Sequence, residues 1–148
     1  MTDNSTIRVL VVGAGHMGIS HARAYHKLDG FDICGVVTRT QASSQAMFDE
    51  LGPFPQFTDF EEALKESRPN AVSISSYTET HHPFTMAALA MGCHVFVEKP
   101  LAESVEKAQE IADMARETGR KVLVGYILRH HPSWIPFIEI AQNLGKPL

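Results

Sequence analysis

Residues 13–18 read Gly-Ala-Gly-His-Met-Gly, and they stand directly after the run Ile-Arg-Val-Leu-Val-Val at 7–12. That run is almost wholly apolar and β-branched, the mark of a strand covered on both faces in a parallel sheet. A Gly-x-Gly-x-x-Gly between such a strand and a helix has a mechanical meaning. Gly13 permits the tight turn, Gly15 leaves room for a pyrophosphate against the backbone, and Gly18 lets helix and strand pack closely. The first turn of the helix adds unpaired N–H groups and a positive dipole end, both suited to an anion. His16 and Met17 lie inside the same loop and are candidate contacts with the ligand.

The alternation begun at this junction continues along the chain. A helix is predicted over 16–28, with Gly18, Ala22 and Tyr25 on one side, and a second strand over Phe31–Val37. A helix over 41–51 stops at Gly52-Pro53, a short strand follows at 54–57, and Asp59 caps a helix through 66. The fourth strand is 71–75, and the helix after it runs to Met91, where Gly92 ends it. His94–Val97 is the fifth strand. Ser104 caps an amphipathic helix that turns Val105, Ala108, Ile111, Ala112 and Ala115 inward and ends at Gly119. Val122–Val124 is the sixth strand, and a last helix covers 132–143. Strands alternating with helices give the α/β class, and right-handed crossovers give a doubly wound parallel sheet. Such sheets bind ligands beyond the carboxyl ends of their strands, so functional residues should follow strands.

The length of 148 residues suits one domain of this kind. A formal net charge of -4 and the lack of a Lys/Arg run give no reason to expect a nucleic-acid partner. No apolar run nears the ~20 residues of a membrane span, and residues 1–6 lack the apolar stretch of a signal peptide. No membrane association is therefore expected, and the cytoplasm is the expected compartment. Cys34 and Cys93 have no metal-ligand spacing and are expected to be reduced and buried. His16, His21 and His26 are spread around their helix by spacings of five, and His81-His82 and His130-His131 point neighbours apart. No metal site is expected.

Two further segments carry chemistry. The second strand delivers Thr38-Arg39-Thr40 to the place where a carboxylate would bind a ribose diol. An arginine between two hydroxyls suits a ribose 2′-phosphate instead. NADP is therefore the expected cofactor, with NAD the alternative; Arg39 stacked over the adenine would serve both. After the fifth strand stands Glu98-Lys99-Pro100, where Pro100 restricts Lys99 to extended backbone. A lysine aimed across the carboxyl edge could bond a substrate oxygen and steady negative charge; by spacing alone, a surface ion pair is the better reading.

Three blocks together resemble the N-terminal half of the glucose–fructose oxidoreductase, inositol dehydrogenase and MocA-like (Gfo/Idh/MocA) family. They are GAGHMGISHA at 13–22, HHPFTMAALAMGCHVFVEKPLA at 81–102 and GYILRHHP at 125–132. The resemblance implies an NAD(P)-dependent oxidoreductase moving a hydride between the nicotinamide and a sugar, inositol or related alcohol or carbonyl compound. It implies a catalytic role for Lys99 near the nicotinamide and substrate, with Glu98 holding the turn and the cofactor. It implies that His81 lies close to the nicotinamide ribose and Arg129 close to the cofactor. Ser76-Tyr77-Thr78 stands where the family often has Thr-Pro-Asn; Ser76 and Tyr77 are kept as candidate cofactor contacts. Cys93 stands where a lysine is common, a change expected at the surface.

The resemblance further implies a Rossmann domain over 1–126, with 127–148 an exit segment and the start of a C-terminal substrate domain. That domain would supply most substrate contacts, a catalytic histidine and the surface for any homo-oligomer, so the 148 residues alone are expected to be inactive. The rival reading is a non-catalytic dinucleotide-sensing module on the same fold.

Overall fold

Six short segments of this chain form one parallel sheet in the computed structural model. The structure describes residues 6–144; the polar N-terminal stretch up to residue 5 and the Gly145-Lys146-Pro147-Leu148 end lie outside them. The strands are β1 (Ile7–Val12), β2 (Phe31–Val37), β3 (Gln56–Phe57), β4 (Ala71–Ile74), β5 (His94–Val97) and β6 (Val122–Val124). Their order across the sheet is β3-β2-β1-β4-β5-β6, and every neighbouring pair is parallel. The chain builds outward from β1 on one side, then returns and builds outward on the other. The reversal lies between β1 and β4, and there the loops leaving the two strands diverge and open a crevice.

The helices are α1 (His16–Lys27), α2 (Gln45–Leu51), α3 (Phe60–Ser67), α4 (Thr78–Ala90), α5 (Val105–Thr118) and α6 (Ile135–Asn143). Alternation along β1 divides the core in two. Val9 and Val11 pack with Ala22 and Met47, on the side of α1 and α2. Leu10 and Val12 pack with Phe60, Leu64, Leu89 and Ile111, on the side of α3, α4 and α5. The caps are those the sequence predicts: Asp59 accepts from the Glu62 N–H, Ser104 accepts from the Lys107 N–H, and Gly119 closes α5 in the left-handed conformation.

Several details differ from the sequence expectation. The predicted helix 41–51 begins as a 3-10 turn, Gln41–Ser44, before α2. The third strand is only two residues long and the fourth ends at Ile74, one residue early. Val105 and Ala112 are exposed, and Met114 takes a place on the inner face of α5 beside Ala108, Ile111 and Ala115. Of the predicted helix 132–143, residues 132–134 form a turn and α6 begins at Ile135; a separate 3-10 turn covers Ile127–His130. Cys93 is buried, as the reading of the two thiols expected and against the surface position expected from its place in the family block, and its thiol donates to the Pro69 carbonyl. Burial raises the pKa of both cysteine thiols, keeping them protonated.

One irregularity aims the functional end of β2. The register against β1 slips between Val9 and Leu10, so that Ile33 pairs with Val9 and Gly35 with Leu10. The extra residue is Cys34. Such a bulge resets the alternation by one, and Ile33 and Val36 come to face one core while Cys34 and Val37 face the other. Gly35 has no room for a side chain here: a Cβ would lie 2.9 Å from the Phe57 ring and 3.1 Å from Leu10.

Candidate functional site

The residues that leave the strands are tied to one another by backbone hydrogen bonds. Gly13 donates to Val37, Ser75 to Val12, Glu98 to Ile74, Gly125 to Val97 and Thr38 to Phe57. Five loops therefore start at one level along the carboxyl edge. A cleft of about 490 Å³ opens there, lined by Gly13, Ala14, Gly15, Thr38, Arg39, Ser75, Ser76 and Tyr77, with Phe60 and Phe84 at its apolar side.

Each glycine of the loop after β1 has a different constraint. Gly13 has φ +94°, and a Cβ on it would lie 2.6 Å from the Ser75 carbonyl oxygen. At Gly18 a Cβ would lie 1.9 Å from the Gly13 carbonyl oxygen, so α1 is pressed directly on the loop. At Gly15 a Cβ would meet nothing within 4 Å. Packing therefore explains two of the three, and the third faces open space beside the first turn of α1. That turn has no side-chain cap and no acidic residue. Its N–H groups lack intrahelical partners, and His16 and Met17 stand on it. Donors, dipole and open approach fit a pyrophosphate.

At the end of β2, Arg39 reaches across the cleft. A guanidinium Nη donates to the Tyr77 hydroxyl at 3.0 Å, and its carbon lies 4.8 Å from the centre of the Tyr77 ring. The threonines do not offer their hydroxyls as freely as the sequence suggested. Thr38 is buried and donates to the Thr40 carbonyl, while the Thr40 and Ser43 hydroxyls bond each other. Ser76 shares a hydrogen bond with the Thr80 hydroxyl.

The turn after β5 is built from within. Glu98 is buried, and its Oε2 accepts from the Lys99 backbone N–H. Gly125 lies against the carboxylate, where a Cβ would stand 3.1 Å from it. The Lys99–Pro100 peptide is cis, and the Lys99 side chain is exposed at the carboxyl edge. His81 is buried beneath the two neighbouring loops. Its Nδ1 is 2.7 Å from the Pro100 carbonyl and its Nε2 is 3.2 Å from the Ser76 carbonyl. The ring thus ties the loop after β5 to the loop after β4 and does not line the cleft. Arg129 also lies off the cleft lining, exposed in its 3-10 turn with its guanidinium over the Tyr126 ring.

Sequence reasoning missed His21. From α1 it points to the sheet, edge-on to Phe96, with Nδ1 3.0 Å from the Ser75 hydroxyl and 3.3 Å from that of Ser73. Its Nε2 lies 3.2 Å from Glu98 Oε1, an oxygen with no hydrogen bond of good geometry. The pair thus joins the helix of the glycine loop to the turn that carries Lys99. Spacing among histidines of the same helix concealed it; the signal was its place in GISHA, one turn beyond Gly18.

Burial pushes the His21 pKa below its ordinary value, and the Glu98 carboxylate only partly restores it. An unfolded chain takes up a proton at His21 near pH 6.5, before the folded chain does. Stability should therefore fall as pH drops below about 6.5, and level off below the folded pKa. Thermal midpoints at pH 7.5 and 5.5 check this: His21→Gln should show the smaller loss, and equal losses in both proteins would contradict it.

Gly-rich turn, helix N-terminus and cleft at the topological reversal define a dinucleotide-binding Rossmann domain. Residues 7–126 match a family model described as "Oxidoreductase family, NAD-binding Rossmann fold", and the chain belongs to that Gfo/Idh/MocA family. It is 32% identical over 147 residues to an inositol 2-dehydrogenase of Agrobacterium fabrum, covering 97% of this chain and 44% of that protein. It is 31% identical over 129 residues to a D-glucoside 3-dehydrogenase of Escherichia coli, covering 86% and 36%. Among solved structures, a scyllo-inositol dehydrogenase of Lactobacillus casei with bound NAD(H) and scyllo-inositol superposes with TM-score 0.84 at 25% identity, covering 95% of this chain and 42% of that one. The chain thus spans less than half the length of these relatives. The domain is NAD(P)-binding. No helix among the described residues is long and apolar enough to cross a membrane.

Proposed function

We propose that this chain is the cofactor half of an NAD(P)-dependent oxidoreductase acting on a CH–OH group of a sugar, inositol or related polyol. The observation that carries the reading is the shared edge: the open Gly15 approach and the exposed Lys99 both leave the carboxyl ends of the sheet. The first turn of α1 holds the pyrophosphate, Ser76 and Tyr77 flank the dinucleotide, and Glu98 fixes the turn. His81 acts through the backbone it anchors. A bound nicotinamide supplies the hydride acceptor or donor. Lys99 bonds the substrate oxygen and steadies its charge in the transition state.

NADP is the preferred cofactor in this reading, because Arg39 is the one charged side chain among the cleft-lining residues and none is a carboxylate. Residues 127–148 begin a further domain that supplies substrate contacts. In support, Ile127, Trp134, Ile135, Phe137 and Ile140 are all large apolar side chains exposed to solvent.

The test is steady-state kinetics of the whole gene product with inositols and sugars. Lys99→Ala should lower kcat by about 10²–10³-fold, as when a transition-state hydrogen-bond donor is removed, and leave the cofactor Kd within about threefold. Undiminished kcat, or no turnover of any polyol by wild type, would move the protein to the dinucleotide-sensing reading.

A further inference from the structure

Arg39 and Tyr77 come from different loops. One follows β2 and the other follows β4, and those strands flank β1. Their side chains meet at the cleft that the glycine loop also lines. The contact has two parts: a hydrogen bond from Nη to the phenol oxygen at 3.0 Å, and a guanidinium carbon 4.8 Å from the ring centre. Both residues are exposed, Tyr77 to 56%. An isolated exposed arginine samples many rotamers, and ordering it opposes any ligand it must bind. Here the other polar groups of its own loop are already paired. The Thr38 hydroxyl turns inward to Thr40, and the Thr40 and Ser43 hydroxyls share a hydrogen bond. Among the groups around this loop, Tyr77 is what holds the cation.

From this geometry we infer that Tyr77 is a positioning residue for cofactor choice: it preorganises the Arg39 guanidinium to receive a ribose 2′-phosphate. The inference rests on the reading that Arg39 faces that phosphate. Guanidinium carries five N–H donors. The bond to Tyr77 uses one nitrogen, and the remaining donors are left for phosphate oxygens. The phenol accepts from Arg39 and adds no negative charge, so it fixes the cation without neutralising it. The ring adds a second contact with the cation, its centre 4.8 Å from the guanidinium carbon. A carboxylate in the same place would hold the arginine as well, but would repel the phosphate.

Calorimetric titration of the chain with NADP and with NAD tests this, using wild type, Tyr77→Phe, Tyr77→Ala, Arg39→Ala and the Arg39→Ala/Tyr77→Ala pair. Tyr77→Phe keeps the ring and should weaken NADP by about threefold; Tyr77→Ala should weaken it by about tenfold, within the range of coupled neighbours. NAD affinity should fall less than NADP affinity in both, so that the NADP-to-NAD affinity ratio drops. In the Arg39→Ala background, Tyr77→Ala should no longer alter the NADP-to-NAD ratio. A Tyr77→Ala that weakens both cofactors equally would overturn the inference and make Tyr77 a wall of the cleft, while a selective loss of NADP in Arg39→Ala would still support the reading beneath it. Equal weakening of both cofactors in Arg39→Ala would overturn the reading itself.

Discussion

Gly15→Val should fold as the wild type does and bind no dinucleotide. Gly15 has φ -74° and ψ -174°, extended backbone that valine adopts readily. A Cβ there meets no atom within 4 Å, so the folded chain has nothing to displace. The same open space is where a pyrophosphate must come against the first turn of α1. Two branched methyl groups would hold it away from the N–H donors, and these hydrogen bonds are charge-assisted. The loss of affinity should exceed about 100-fold, the equivalent of about 2.8 kcal/mol. Paired titrations and melting curves check this. Wild-type affinity in the variant would contradict it.

Gly18→Ala should do the reverse and remove the fold along with the site. Its Cβ would stand 1.9 Å from the Gly13 carbonyl oxygen and 2.8 Å from the carbonyl carbon. Neither is the tip of a flexible side chain, so α1 must lift from the loop or the loop must leave β1. Either movement breaks the packing of Ala22 against Val9 and Val11. Overpacking of a single methyl usually costs about 1–3 kcal/mol, and an immovable backbone partner puts this case above that range. Denaturant unfolding should give a midpoint far below wild type; an unchanged midpoint would mean that helix and loop are not in contact. Two glycines three residues apart thus separate binding from folding.

The elements were legible where the signal is local. Ile7–Val12 and His94–Val97 are apolar runs of strand length, and the structure gives them the predicted bounds. Asp59, Ser104 and Gly119 are capping residues whose partners lie within four residues. What escaped was set by partners far along the chain. The slip at Cys34 appears only in the pairing of β2 with β1, where Gly35 lies against Phe57 and Leu10. His21 becomes informative only beside Glu98, and His81 only beside Pro100. The glycine loop could be read for chemistry because its spacing encodes a turn and a close approach. By contrast, no spacing reveals that the Thr38 hydroxyl turns inward while Arg39 reaches Tyr77.

The central claim is that a nicotinamide dinucleotide binds along the carboxyl edge of this sheet, and amide chemical-shift mapping of the chain during titration with NADP tests it most directly. Shifts should gather at residues 13–18, at Thr38 and Arg39, at 75–77 and at Glu98 and Lys99. The opposite end of the sheet provides the control, where Leu64, Arg68, Met91 and Cys93 line a smaller hollow. Shifts confined to that hollow, or none anywhere at millimolar cofactor, would contradict the account.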